Sequence, residues 1–103
     1  MKLLTKEILK KFEKVGSQEE VKDPVVIAKF FTPWTHWTWF ATEYDPENKI
    51  FFGLVEGHEK EWGYFSLEEL EKVKGPFRLG IERDMMFDPE PGYDGAKISE
   101  VAA

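Results

Sequence analysis

Residues Ile50 to Gly75 read I-F-F-G-L-V-E-G-H-E-K-E-W-G-Y-F-S-L-E-E-L-E-K-V-K-G, a strand, turn, strand and capped helix without a break. Ile50 to Val55 is six residues with no polar side chain, so neither face offers water a partner, and a central strand covered on both faces is expected. Trp62-Gly63-Tyr64-Phe65 returns beside it. Ser66 then supplies an N-cap oxygen, Glu69 can reach back to the Ser66 amide, and Phe65 and Leu70 form the hydrophobic staple. Glu68 and Glu69 come early and Lys72 and Lys74 late, as the helix dipole favours; Glu68 and Lys72 are spaced as an i,i+4 pair, and Gly75-Pro76 ends the helix.

Working outward toward the N-terminus, Asp45-Pro46-Glu47-Asn48 suits a type I turn that pairs a strand from Thr38 to Tyr44 with Ile50 to Val55. The next reversal is Glu56 to Glu61, where Gly57 permits a positive φ. Val25 to Phe31 is β-branched and aromatic enough for a further strand, and Ser17 to Pro24 is a polar connection. Thr5 is an N-cap for a helix whose Ile8, Leu9, Phe12 and Val15 share one stripe before Gly16. Toward the C-terminus, Phe77, Leu79 and Ile81 alternate with Arg78, Gly80 and Glu82, the pattern of an edge strand. The text from Asp88, D-P-E-P-G-Y-D-G, supports neither helix nor ladder. The expected architecture is a single α+β domain over residues 1–88, an antiparallel meander of about four to five strands with two helices packed on it, followed by a flexible tail over 89–103.

Composition narrows the function classes. The 103 residues carry 20 acidic against 14 basic side chains, a net charge of -6 that opposes binding to a phosphate backbone, so no direct nucleic-acid partner is expected. Cysteine is absent, which removes disulfides and thiolate metal sites and fits a reducing compartment. Met1 to Glu7 lacks the apolar core of an export signal, and no run of about 20 apolar residues exists, so a cytoplasmic protein without a membrane partner is expected.

Two stretches stand out as candidate sites. Trp34-Thr35-His36-Trp37-Thr38-Trp39 holds three indoles and an imidazole within six residues. Trp34, His36 and Trp37 on a loop would offer flat faces to a peptide, base or sugar ring; Trp39 falls in a strand and reads as core, and Trp34, after the strand-breaking Pro33, reads as the most exposed. The second stretch, Glu56 to Glu61, places His58 among Glu56, Glu59 and Glu61, with Glu68 and Glu71 on the following helix. It is not H-E-x-x-H, so neither a metal nor another cofactor is expected there. Catalysis finds little support: the serines lie in a loop, a cap and the tail, and no phosphate-cradling Gly-rich loop is present. Glu43, in an aromatic strand, is the best acid–base candidate, with a salt bridge to Arg83 or Lys29 as its ordinary role.

Trp37-Thr38-Trp39, Thr42-Glu43-Tyr44-Asp45, Phe51-Phe52-Gly53-Leu54-Val55, Glu61-Trp62-Gly63-Tyr64-Phe65-Ser66-Leu67 and Ile81-Glu82-Arg83-Asp84 in series resemble the bacterial domain-of-unknown-function family 2958. The resemblance covers roughly Met1 to Phe87. It implies one domain and a setting on plasmids, phages and integrative elements, and it assigns no catalytic or binding residues. The functional expectation is a non-enzymatic accessory factor that binds a protein partner, its carboxylates imitating DNA phosphates in one form of that reading. The alternative is a small-molecule or peptide binder that uses the Trp34 to Trp37 loop.

Overall fold

The computed structural model describes residues 1–93 and 95–102, and its centre is a five-stranded antiparallel sheet in the order β4-β3-β2-β1-β5. The strands are β1 (Ala28–Phe31), β2 (Thr38–Asp45), β3 (Ile50–Glu56), β4 (Lys60–Ser66) and β5 (Glu82–Arg83); the helices are α1 (Lys6–Val15), α2 (Leu67–Lys72) and α3 (Ile98–Val101). The α+β expectation holds, and β3 lies inside the sheet between β2 and β4; its Phe51 face is covered by the helices, while Phe52 on the other face is only half-buried, so the expected cover on both faces is incomplete.

Register divides the sheet into two faces. Tyr44, Phe51 and Phe65 are cross-strand partners on one face, and Phe51, fully buried, sits within 4.7 to 5.8 Å of the rings of Tyr44, Phe30, Phe65 and Phe12. Ile8 and Phe12 of α1 and Leu70 of α2 close over this cluster. Phe40 and Leu54 pair on the opposite face and join Val26 in a smaller cluster. Thr5 Oγ1 accepts from Ile8 N at 3.2 Å to start α1, and Ser66 Oγ accepts from Glu69 N at 3.3 Å to start α2. In the β2–β3 turn, Asp45 Oδ1 accepts from Glu47 N and its Oδ2 from the Asn48 amide. These hydrogen bonds, the Asn48 side chain foremost, lower the Asp45 carboxyl pKa.

β2 carries a bulge: Ala41 faces Gly53 and Glu43 faces Phe52, leaving Thr42 as the extra residue. Its orphaned carbonyl is satisfied by Gln18, whose Nε2 donates to Thr42 O at 2.8 Å and to Val25 O at 2.9 Å, while its Oε1 accepts from Val25 N at 2.8 Å. The segment expected as a polar connection thus holds a buried amide that ties the chain after α1 to Val25, ahead of β1, and to β2.

Phe77 to Ile81 is not a strand: Phe77 and Arg78, with φ of 57° and 62°, are the two central residues of a tight left-handed turn closed by Leu79 N donating to Pro76 O, and Gly75 N donates to Leu79 O at 2.7 Å. The alternation of F-R-L-G-I comes instead from a reversal between Lys74 and Gly80 that leaves Phe77 96% exposed and returns the chain with Ile81 in the core, and the edge strand begins one residue later at Glu82. The segment 89–103, expected as a flexible tail, carries contacts that composition hides, with positions 94 and 103 outside the described residues. Val26 N donates to Ala96 O, Ile98 N donates to Pro24 O, and Ile98, Val101 and Ala102 pack with Phe87 onto Val26, Phe40 and Leu54. Asp23 Oδ2 accepts from Ser99 Oγ at 2.5 Å and its Oδ1 from Ser99 N at 2.9 Å, which lowers the Asp23 carboxyl pKa.

Candidate functional site

The β1–β2 loop and the β3–β4 turn leave the sheet at the same end, since Phe31 faces Thr38 and Glu56 faces both Thr38 and Lys60. Antiparallel pairing therefore brings together the aromatic loop and the acidic turn, about 20 residues apart in sequence. The loop is shaped by its threonines: Thr32 N donates to Trp37 O, the Thr32 and Thr35 hydroxyls are hydrogen-bonded, and Trp37 N donates to Thr35 Oγ1 at 3.1 Å. This turns the Trp37 indole toward the neighbouring reversal. It lies edge-to-face with His58 at 5.7 Å and tilted against Trp39 at 5.9 Å.

Gly57 is required at this contact for clearance, not for a positive φ: a Cβ there would stand 2.4 Å from the Trp37 ring. Trp37, Val55, His58, Glu59 and Glu61 line a cavity of about 300 Å³. The lining combines an indole and a valine with a histidine and two glutamates. The chemistry of such a lining suits an apolar stem that ends in a cation, because an indole face and carboxylates both attract positive charge.

The other expected residues are placed differently. Trp34 is half-buried with its indole against Gly75, where a Cβ would fall 2.3 Å from the ring, so Trp37, at 37% exposure, is the more exposed indole of the pair. The same close packing of large rings that defeats a composition-based guess explains the exchange. His36 is exposed at the loop tip. Glu56 is paired with Lys60 Nζ at 3.7 Å beside the cavity. Glu68 and Glu71 are not at this site: Glu68 Oε1 is 3.8 Å from Lys49 Nζ by the β2–β3 turn, and Glu71 lines a separate cavity of about 420 Å³ with Lys74 and Arg78. Glu43 does not meet Lys29 or Arg83, which pair with Asp84 at 3.4 Å and Asp88 at 3.0 Å.

One surface escaped the sequence reading. On the face carrying Phe40 and Leu54, Phe52 stacks on Trp62 at 5.9 Å and tilts against Tyr64 at 5.0 Å; Trp62 and Tyr64 are 47% and 78% exposed. Glu43, Ile50, Phe52 and Tyr64 border a shallow cavity of about 250 Å³ beside them. The odd–even alternation of Glu61, Gly63 and Phe65 against Trp62 and Tyr64 could have disclosed this face.

Among the described residues, no group of three or more His, Cys, Asp or Glu side chains converges as a metal site, and no helix is long and apolar enough to cross a membrane. No curated protein and no solved structure matches the chain. A family model described as protein of unknown function (DUF2958) matches residues 3–94, nearly the whole chain, and the protein belongs to that family.

Proposed function

We propose that the protein is a non-enzymatic binding factor that captures a basic side chain of a protein partner in the Trp37–His58–Glu59–Glu61 cavity. The observation that supports this reading is the meeting of an exposed indole with two carboxylates across the β1–β2 loop and the β3–β4 turn. A lysine or arginine stem would lie along Trp37 and Val55 while its charge meets Glu59 and Glu61. The net charge of -6 would steer such a partner over a distance set by the Debye length. The carboxylates split between two ends of the molecule, so the reading rests on one compact cation site and not on an extended row of phosphate-like charges. We place the factor in the accessory repertoire of mobile elements and in the cytoplasm.

Capture from bacterial lysate at low and physiological salt tests the reading. A partner lost at the higher salt, and bound more slowly by the Glu59→Lys, Glu61→Lys variant than by a Glu7→Lys, Glu13→Lys control, supports it. Equal binding by both variants without salt dependence refutes it. The second reading, a small molecule or peptide on the aromatic loop, has the same cavity in its favour, and retention of a small ligand in native mass spectrometry would select it.

A further inference from the structure

β4 is an outer strand of the sheet, and its backbone phase shows what that edge offers. Gly57 N donates to Glu59 O at 3.0 Å, and Leu67 N donates to Lys49 O at 3.0 Å. Between these bonds the strand alternates, so Glu61, Gly63 and Phe65 turn their N–H and C=O toward β3, and Trp62, Tyr64 and Ser66 turn theirs to the open side. An edge of this length is normally blunted by a proline, a bulge or very few residues. β4 has seven residues, no proline and an unbroken register; the other edge, β5, has two residues.

We infer that the β4 edge pairs with β4 of a second copy of this chain, antiparallel, about a two-fold axis at Gly63. Gly63 is the middle residue of Lys60–Ser66, so this register uses the whole strand. It sets Trp62 opposite Tyr64 of the second copy as hydrogen-bonded pairs, because both turn their backbone groups outward. The two exposed rings of each copy then form one aromatic row with Phe52 on a ten-stranded sheet. Gly63 meets its own copy in a non-hydrogen-bonded pair, where the chains come closest and a missing side chain is an advantage.

The charges agree with this register. Glu61 stands opposite Phe65 of the second copy, and Lys60, whose Nζ donates to Ala102 O at 2.7 Å and pairs with Glu56 in its own copy, stands opposite Ser66 of the second copy, so no like charges face each other across the pair. Sliding the pair four places toward the turn would set Glu61 against Glu61. A net charge of -6 on each copy opposes association through the long-range field, so screening by salt must favour the dimer. That is the opposite sign to the salt dependence of cation capture, and the two ideas fail separately. The interface is small, so a dissociation constant on the order of micromolar is expected.

Sedimentation equilibrium of the full chain over a wide concentration range tests the proposal. The mass should move from 12.1 kDa toward twice that value, more readily at high salt. Tyr64→Pro removes an outward N–H without touching the ladder to β3 and should stay monomeric with an unchanged circular dichroism spectrum. Should that variant misfold, Gly63→Cys decides: the chain has no cysteine, a side chain there meets nothing within 4 Å, and paired Cα atoms about 4.5 Å apart suit a disulfide. Under mild oxidant it should cross-link while the exposed control Glu19→Cys stays monomeric. A monomer at every concentration and salt, cross-linking no faster at Gly63→Cys than at the control, or a folded Tyr64→Pro that still dimerises would overturn the proposal.

Discussion

The Trp37 indole lies over Gly57 so closely that a Cβ at that glycine would stand 2.4 Å from its ring. That contact couples two chain reversals and sets the place of an indole that lines the candidate site. Trp37 is partly exposed and able to swing outward, so Gly57→Ala should cost only about 1 kcal/mol of stability while displacing the ring. Gly63→Ala, with nothing within 4 Å of the added carbon, is the control. Indole N–H chemical shifts would report the displacement; unchanged shifts in Gly57→Ala would contradict the packing described.

Phe51 and Phe52 are neighbours in sequence on opposite faces, and only Phe51 is fully buried. Phe51→Ala should destabilise by about 3 to 5 kcal/mol, and Phe52→Ala by roughly half of that or less. Urea denaturation checks the order of the two losses, and equal losses would mean that the aromatic shelf is itself part of the core.

Asp23 holds Ser99 through its carboxylate, which lowers its pKa in the folded state through the Ser99 hydroxyl first and the backbone N–H second. A lowered folded pKa stabilises the native state above the ordinary aspartate value and loses that effect as pH falls through the lowered one. The difference in melting temperature between wild type and Asp23→Asn should therefore be constant near neutrality and shrink below about pH 4. A difference that grows on acidification would refute the assignment.

Ending the chain after Asp88 removes Ile98 and Val101 from Val26, Phe40 and Leu54. Two half-buried aliphatic side chains lose their partners and three apolar core residues gain water, so the melting temperature should fall by more than about 5 °C. An unchanged value would show that the segment contributes nothing to the fold.

Phe77 and Arg78 both take positive φ, where Asn-Gly is the favoured pair in a two-residue reversal. Phe77→Asn with Arg78→Gly should raise stability by about 1 kcal/mol or more. A loss of stability would contradict the left-handed conformation of this turn.

Sequence legibility follows the range of the signals. The stretch from Ile50 to Gly75 was readable because a cap such as Ser66 and an apolar run such as Ile50 to Val55 act on neighbours. Gln18 bonding Thr42, 24 residues away, leaves no local mark, and neither does Ile98 docking on Phe40. Phe77 carries no distinguishing local signal, because alternation over five residues fits a strand and a glycine-flanked reversal equally well. The loop tryptophans and the turn carboxylates were each visible, but their meeting depends on strand register, and the exchange of exposure between Trp34 and Trp37 depends on which glycine each indole finds.

The cation site is tested most directly by titrating the ¹⁵N-labelled protein with acetyl-arginine amide at low salt and following the four tryptophan indole signals. Saturable shifts of Trp37 with the His58 to Glu61 amides, weakened by added salt and abolished in Glu59→Gln, Glu61→Gln, are the expected result. Shifts that are absent, or that fall on Trp62 and leave Trp37 unmoved, would contradict it.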